Sequence, residues 1–300
     1  MSLLPPLLLP HVALLTAMLV WSSSFIALKV GLSAFSPLEV MGLRMTVAAL
    51  VFLPIWPGLW RALRTQGRWR TLGIMVLCEP CLYFLCEIYA LRYTSASQAG
   101  MIVAMLPLFV AVAAWFFLRE HAALRVWAGF LLALAGVAWL TLGAVGTDNA
   151  PNPLLGNGLE ALAMCCATSY TICLKRLTTT YTPMQLTAFQ SLAGMLFFLP
   201  LSQLPIGGTP LPLGMELPAW APLAAVVYLG GCVTFGGYGL YSFGVSRLPA
   251  GQASAYTNLI PVMTLLMGVC WLGEVFLPAQ YAATALVVVG VVLSQRGGGT

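Results

Sequence analysis

ASQAGMIVAMLP, residues 96–107, returns as AGQASAYTNLIP at residues 250–261, an offset of 154. Ala96, Gln98, Ala99 and Pro107 stand over Ala250, Gln252, Ala253 and Pro261 without a gap, and the register runs on through Leu118/Leu272, Glu120/Glu274 and Gly136/Gly290. Upstream the match continues at an offset of 146, where Ala17, Met18, Ser23, Lys29 and Pro37 stand over Ala163, Met164, Ser169, Lys175 and Pro183. The change of offset marks an eight-residue insertion between Pro200 and Ala250. The second half therefore repeats the first. Nearly every repeated segment is apolar and long enough to cross a bilayer. A duplicated bundle of such helices offers a substrate path between two related halves.

Composition sets the solvent. Of 300 residues, 60% are hydrophobic and 7% charged, against about 25% charged in soluble domains. The lipid bilayer is the expected partner. The net charge of +5 comes from basic residues in loops between apolar runs, a topology signal that argues against nucleic acid. Residues 1–10 hold no Lys or Arg, so the first apolar run reads as a retained helix rather than a cleaved leader. All eight cysteines fall inside apolar runs, where cysteine acts as a small hydrophobe. Cys78 and Cys81 form a C-x-x-C pair, but no thioredoxin-like context surrounds it. A membrane thiol–disulfide oxidoreductase is the rival from another class.

A crossing helix needs about 20 residues. Ten spans are predicted, at about 11–30, 37–56, 71–91, 95–117, 124–143, 156–175, 183–204, 219–244, 250–271 and 278–294. Tight turns at Arg92–Ser95 and Ser246–Pro249 recur in both copies. With a cytoplasmic N-terminus, cytoplasmic loops and the tail hold ten Lys and Arg and the outer loops hold two, Lys29 and Arg92. That bias places both termini in the cytoplasm. Five spans per half is an odd number, so the second half enters the membrane upside down. The expected fold is all-α and integral to the membrane, ten transmembrane helices as an inverted repeat of two five-helix halves, residues 1–145 and 146–300.

Ionisable residues deep in lipid cost about 2.5–3.5 kcal/mol on insertion scales, so each asks for a role. Glu79, Tyr83 and Glu87 follow at i, i+4 and i+8 in the third span, one stripe of a regular helix that should face inward. The two acids could hold a substrate ammonium or a coupling proton; they could instead pair with Arg44, or Glu87 could be wetted near the outer surface. Thr234, Tyr238 and Tyr241 share a face of a glycine-rich eighth span, as tyrosines toward substrate or as packing. Gln98 and its equivalent Gln252, with Tyr256 one turn on, offer neutral groups to a zwitterion or to neighbouring helices. Asn258 and Tyr170 are further candidates, and Trp21 with Phe25 could form an aromatic wall. Pro107, Pro261 and Pro80 lie mid-span as candidate hinges, with a static kink as the alternative. Gly129, Ala133 and Gly136 form a small-residue face whose ends recur as Ala283 and Gly290, a scaffold signature. His11 and His121 fall near span ends.

The motif Trp21-Ser22-Ser23-Ser24-Phe25 with Lys29, Pro37 and Arg44, and later Ala90-Leu91-Arg92-Tyr93-Thr94-Ser95-Ala96 with Pro107, Glu120 and Gly136, resembles an EamA-type domain. Two such domains resemble the drug/metabolite transporter superfamily, across almost the whole chain, and within it bacterial exporters of amino acids, aromatic ones included. The resemblance implies export from cytoplasm to periplasm across the inner membrane, by alternating access through a central cavity lined by the first, third, fourth, sixth, eighth and ninth spans. The second copy departs from the pattern, with Gln190 opposite Arg44 and Ala167 opposite Trp21. No Walker motif or H-E-x-x-H occurs, so neither a nucleotide, a metal nor another cofactor is expected, and the chain is not expected to be an enzyme. Organic cations remain a rival cargo. Phosphorylated metabolites rank lower, because they ask for several buried Lys or Arg and only Arg44 is clearly intramembrane. Substrate range, coupling ion and oligomeric state are not written in these motifs.

Overall fold

The computed structural model describes residues 8–118, 124–142, 150–204, 208–210, 216–248, 253–254, 256–273, 275 and 277–295. The described chain is helical. The first half holds α1 (Leu9–Leu32), α2 (Pro37–Val51), α3 (Trp56–Gln66), α4 (Trp69–Val76), α5 (Tyr83–Tyr93), α6 (Ala96–Val103), α7 (Leu106–Leu118) and α8 (Leu124–Leu142). The second holds α9 (Pro153–Leu177), α10 (Pro183–Leu201), α11 (Ala221–Tyr228), α12 (Tyr238–Arg247), α13 (Ile260–Leu272) and α14 (Pro278–Gln295). Among the described residues, four continuous stretches are long and apolar enough to cross a bilayer: Leu9–Leu32, Trp69–Tyr93, Pro183–Leu201 and Ala221–Arg247. The pair Pro37–Val51 and Leu53–Gln66, bent by 54°, makes a fifth if taken as one span.

Local sequence explains where helices begin. Ser36 caps α2 through a reciprocal box with Glu39, and Pro37 follows at the first turn, where its missing N–H costs nothing. Thr182, Gln185 and Pro183 repeat the device at α10. Pro107 and Pro261 stand at the first turn of α7 and α13, each after a short irregular stretch. The prolines therefore mark restarts within broken rods. The same physics puts Pro80 in a break between α4 and α5.

The packing pairs repeat equivalents. α2 lies on α10, α6 on α13 and α8 on α14, while α5 packs on α9 as α12 does on α1. The α8–α14 contact is backbone on backbone. A Cβ on Gly136 would stand 2.9 Å from the carbonyl oxygen of Ala283, and one on Gly290 would stand 2.7 Å from that of Gly129. The small-residue faces of the two copies thus pack on each other.

Burial is inverted relative to a soluble protein. Leu15, Leu50, Leu131, Leu196 and Leu266 are exposed, whereas Lys29, Arg44, Glu79, Glu87, Glu160 and Asn157 are buried. Lipid as the outer solvent accounts for both facts.

Candidate functional site

The third span is interrupted by a wide, π-helical turn over Leu77–Leu82. Glu79 leaves helical geometry there (φ −147°, ψ 115°), and Pro80 supplies no N–H to close the ladder. The freed carbonyl of Glu79 accepts from Gln190 Nε2 at 3.3 Å. The related stretch of the eighth span, Leu229–Gly237, is also π-helical, without proline but with four glycines. Backbone irregularity at membrane depth is sustained where it is buried in protein or lines a cavity.

A cavity lies between these two turns. Trp21 and Phe25 from α1, Arg44 from α2 and Glu79 from the break line it, with Tyr83 and Glu87 from α5, Met164 and Tyr170 from α9, and Tyr238 and Tyr241 from α12. Its volume, taken as the room open to the centre of a water molecule, is about 40 Å³. At about 10–15 Å³ per water on that measure, it admits a few waters but not a whole amino acid unless helices move.

The walls are aromatic and the polar groups few. Trp21 packs its ring at 4.9 Å from that of Tyr238 and 4.7 Å from that of Tyr241. Arg44, 1% exposed, lays its guanidinium 4.0 Å from the centre of the Phe84 ring and donates from Nε to Thr234 Oγ1 at 3.0 Å. Its Nη1 faces Glu87 Oε2 at 3.8 Å, an ion pair too open for a hydrogen bond. Tyr83 donates to the other oxygen, Glu87 Oε1, at 2.9 Å. The Tyr238 hydroxyl approaches the Glu79 carboxyl. Four buried atoms of the lining have no hydrogen-bond partner: Trp21 Nε1, Arg44 Nη1, Glu87 Oε2 and the Tyr241 hydroxyl. The last lies close to Thr171, yet outside hydrogen-bond geometry with it. Buried polar atoms left open cost about 1–3 kcal/mol each, so each of these four asks for a partner within the chamber, water or a ligand.

Of the candidates named from sequence, Trp21, Glu79, Tyr83, Glu87, Tyr170 and Tyr238 line this cavity. They meet although the helix that was to align Glu79 with Tyr83 is broken, because the break itself turns Glu79 inward. Gln98 does not line it. Its Oε1 accepts from Asn157 Nδ2 at 2.9 Å and from Thr94 Oγ1 at 3.3 Å. Tyr256 bonds His11 Nδ1 through its hydroxyl, and Asn258 Oδ1 is buried without a partner; neither lines the cavity. Gln252 and His121 lie outside the described residues. Cys78 and Cys81 are free thiols. Sequence spacing does not single out one further acid, Glu160 on α9, which is 0% exposed with both carboxyl oxygens unpartnered.

A profile of the EamA-like transporter family matches residues 8–142 and 154–295. The chain belongs to that family, within the drug/metabolite transporter superfamily. It is 26% identical to the uncharacterized transporter YetK of Bacillus subtilis, over 94% of this chain and 85% of that protein. It is 29% identical to a probable terminal-alkyne amino-acid exporter of Streptantibioticus cattleyicolor, over 95% of this chain and 92% of the relative. A protein of known crystal structure shares the fold with a TM-score of 0.66 and 22% identity, over 96% of both chains. Family and helix composition make this a multi-pass membrane protein of a transporter family.

Proposed function

We propose that this chain is a secondary exporter of amino acids, including hydrophobic and aromatic ones, and of related small metabolites. Ten spans form two five-helix repeats, residues 1–145 and 146–300, the second inverted. They work by alternating access in the bacterial inner membrane with both termini cytoplasmic. The pairing of repeat-equivalent helices supports the duplicated architecture. Breaks at Pro80, before Pro107 and before Pro261 are the natural hinges.

The observation that carries the substrate class is the set of unpartnered atoms in the cavity. An open guanidinium N–H and an indole N–H suit a carboxylate. An open carboxylate oxygen 3.8 Å from that guanidinium suits an ammonium. A zwitterion entering between Arg44 and Glu87 would complete both, with Trp21, Tyr170 and Tyr238 against its side chain. The name of the Streptantibioticus relative agrees with this class.

Counterflow of labelled phenylalanine and leucine into proteoliposomes preloaded with unlabelled amino acid tests the reading. Saturable uptake above protein-free vesicles is expected. Uptake of an organic cation with no amino-acid counterflow would transfer the site to the rival cargo, which the acids Glu79 and Glu87 favour.

A further inference from the structure

Helix α3, WPGLWRALRTQ at residues 56–66, is amphipathic where the spans are apolar all round. Trp56, Leu59, Trp60 and Leu63 recur at i, i+3, i+4 and i+7 and form one stripe. Arg61 and Arg64 stand on its flank, and both are exposed. The stretch Leu53–Gln66 turns 54° away from α2. An amphipathic helix that leaves the bundle axis suits the boundary between lipid and water, where tryptophan rings and basic side chains are favoured.

α3 does not close fully onto the bundle. Between it and α10 runs a groove lined by Trp56, Leu59, Trp60, Leu63, Phe189 and Leu192. About 70 Å³ of it is open to the centre of a water molecule, more than the roughly 40 Å³ of the central chamber. No carboxylate, amide or hydroxyl lines it, so water finds few partners there and the fitting occupant is apolar. Leu59 forms the floor at 2% exposed, and Trp60 the outer rim at 55%.

The far end of α3 is basic. Tyr181, whose ring meets Phe189 at 5.7 Å, donates its hydroxyl to the carbonyl of Gly67. Arg68 Nη1 donates to the carbonyl of Arg176 at 2.8 Å and to Thr179 Oγ1 at 3.2 Å. These bonds fix the end of α3 to the turn between α9 and α10. They gather Arg61, Arg64, Arg68, Arg70 and Arg176 at one end of the molecule, all exposed. Residues 52–71 and 174–185 contain no Asp or Glu, so these segments supply no counter-charge of their own.

We propose that the groove between α3 and α10 binds one anionic phospholipid, with an acyl chain along Trp56, Trp60 and Leu192 and the phosphate at Arg64. Trp56, Trp60 and Arg64 follow at i, i+4 and i+8, a line of about 11 Å along the helix. It runs from the apolar root of α3 beside α2 to its basic end. Hydrocarbon, interface and charged head succeed one another along a phospholipid in the same order. A zwitterionic head brings its own ammonium to the arginines and gains less from them than an anionic one. The groove shares no lining residue with the central cavity, so the site stands apart from the amino-acid reading.

The test uses the full chain in detergent, exchanged with an equimolar mixture of phosphatidylglycerol and phosphatidylcholine of identical chains. Retained lipid is counted by native mass spectrometry. Wild type should keep one phospholipid, with phosphatidylglycerol favoured about tenfold, the size of one charged hydrogen bond. Arg64→Gln should erase that preference. Leu192→Trp fills the groove and leaves every charge in place, and should lower retention of both lipids. Arg125→Gln, exposed on α8, should change neither. Equal retention of the two lipids by wild type would overturn the proposal. So would a preference that survives both groove variants, or one lost equally in Arg125→Gln, since each describes diffuse attraction to basic residues. A dimer whose formation displaces the lipid would assign the groove to a second copy instead. Should Leu192→Trp fail to fold, phosphatidylglycerol brominated on its chain replaces it. That lipid should quench wild-type fluorescence more than that of Trp60→Phe, and equal quenching would overturn the site.

Discussion

The Tyr241 hydroxyl illustrates how a single atom separates packing from recognition. Its ring is held against Trp21, while its oxygen is buried and unpartnered. Tyr241→Phe keeps the ring and removes only the oxygen. If the hydroxyl serves the substrate, half-saturation in counterflow should rise about tenfold, the worth of one hydrogen bond at the upper end of its range. The melting temperature in detergent should hold or rise, since a buried open polar group is gone. A lowered melting temperature with unchanged half-saturation would make the residue structural. Glu79→Gln asks the same of the acid beside the break. A change in substrate affinity or in the pH profile of flux is expected, and wild-type values in both would leave Glu79 a packing residue. Sequence disclosed Glu79 and Glu87 because they sit deep in one apolar run with helical spacing. It hid Glu160 because the acid falls only four residues into the predicted span 156–175, where a charge passes for an interfacial one. The useful signal was the spacing Glu160, Met164, Ala167 and Thr171, one face of α9, three of whose members line the cavity. Glu160 is the fourth and stands just outside it.

At the scale of elements, periodicity located the helices but not their interruptions. The run 71–91 is apolar throughout, and only Pro80 hinted that its ladder opens between Leu77 and Leu82. The matching opening at Leu229–Gly237 carries no proline, so glycines alone had to announce it, and glycine fits close packing equally well. Gly230 in fact meets the backbone of Arg44, where an added Cβ would stand 2.6 Å from its carbonyl oxygen. The partners of Gln98 could not be read either, because Thr94 and Asn157 lie on different helices and no spacing links them. The small-residue faces were legible, and their packing on each other follows from the repeat. That contact gives an element-scale prediction. Gly136→Leu pushes a branched side chain into the backbone of α14, whose Ala283 oxygen and Val287 nitrogen would each lie 2.9 Å from the new Cβ. A loss of about 1–3 kcal/mol or more is expected from such overpacking, read as a lower melting temperature and reduced yield of folded protein. The neighbouring Ala135→Leu on the exposed side of α8 should change neither.

For the whole molecule, the proposed inverted repeat makes a topological statement that single residues do not. Single cysteines introduced near each end of a chain whose native cysteines are replaced should both react with an impermeant thiol reagent only from the cytoplasmic side. Labelling of the two ends from opposite sides would remove the odd-numbered halves and with them the inverted architecture. The halves are related in sequence yet differ in charge. Arg44, Glu79 and Glu87 come from the first, and their equivalents Gln190, Val233 and Tyr241 bring none of that charge. Concatenating two first halves would therefore crowd a pair of guanidinium groups and four acids into one chamber. Concatenating two second halves would leave a pair of glutamates with no arginine beside them. Neither symmetric fusion has a balanced interior, so the two copies are no longer interchangeable.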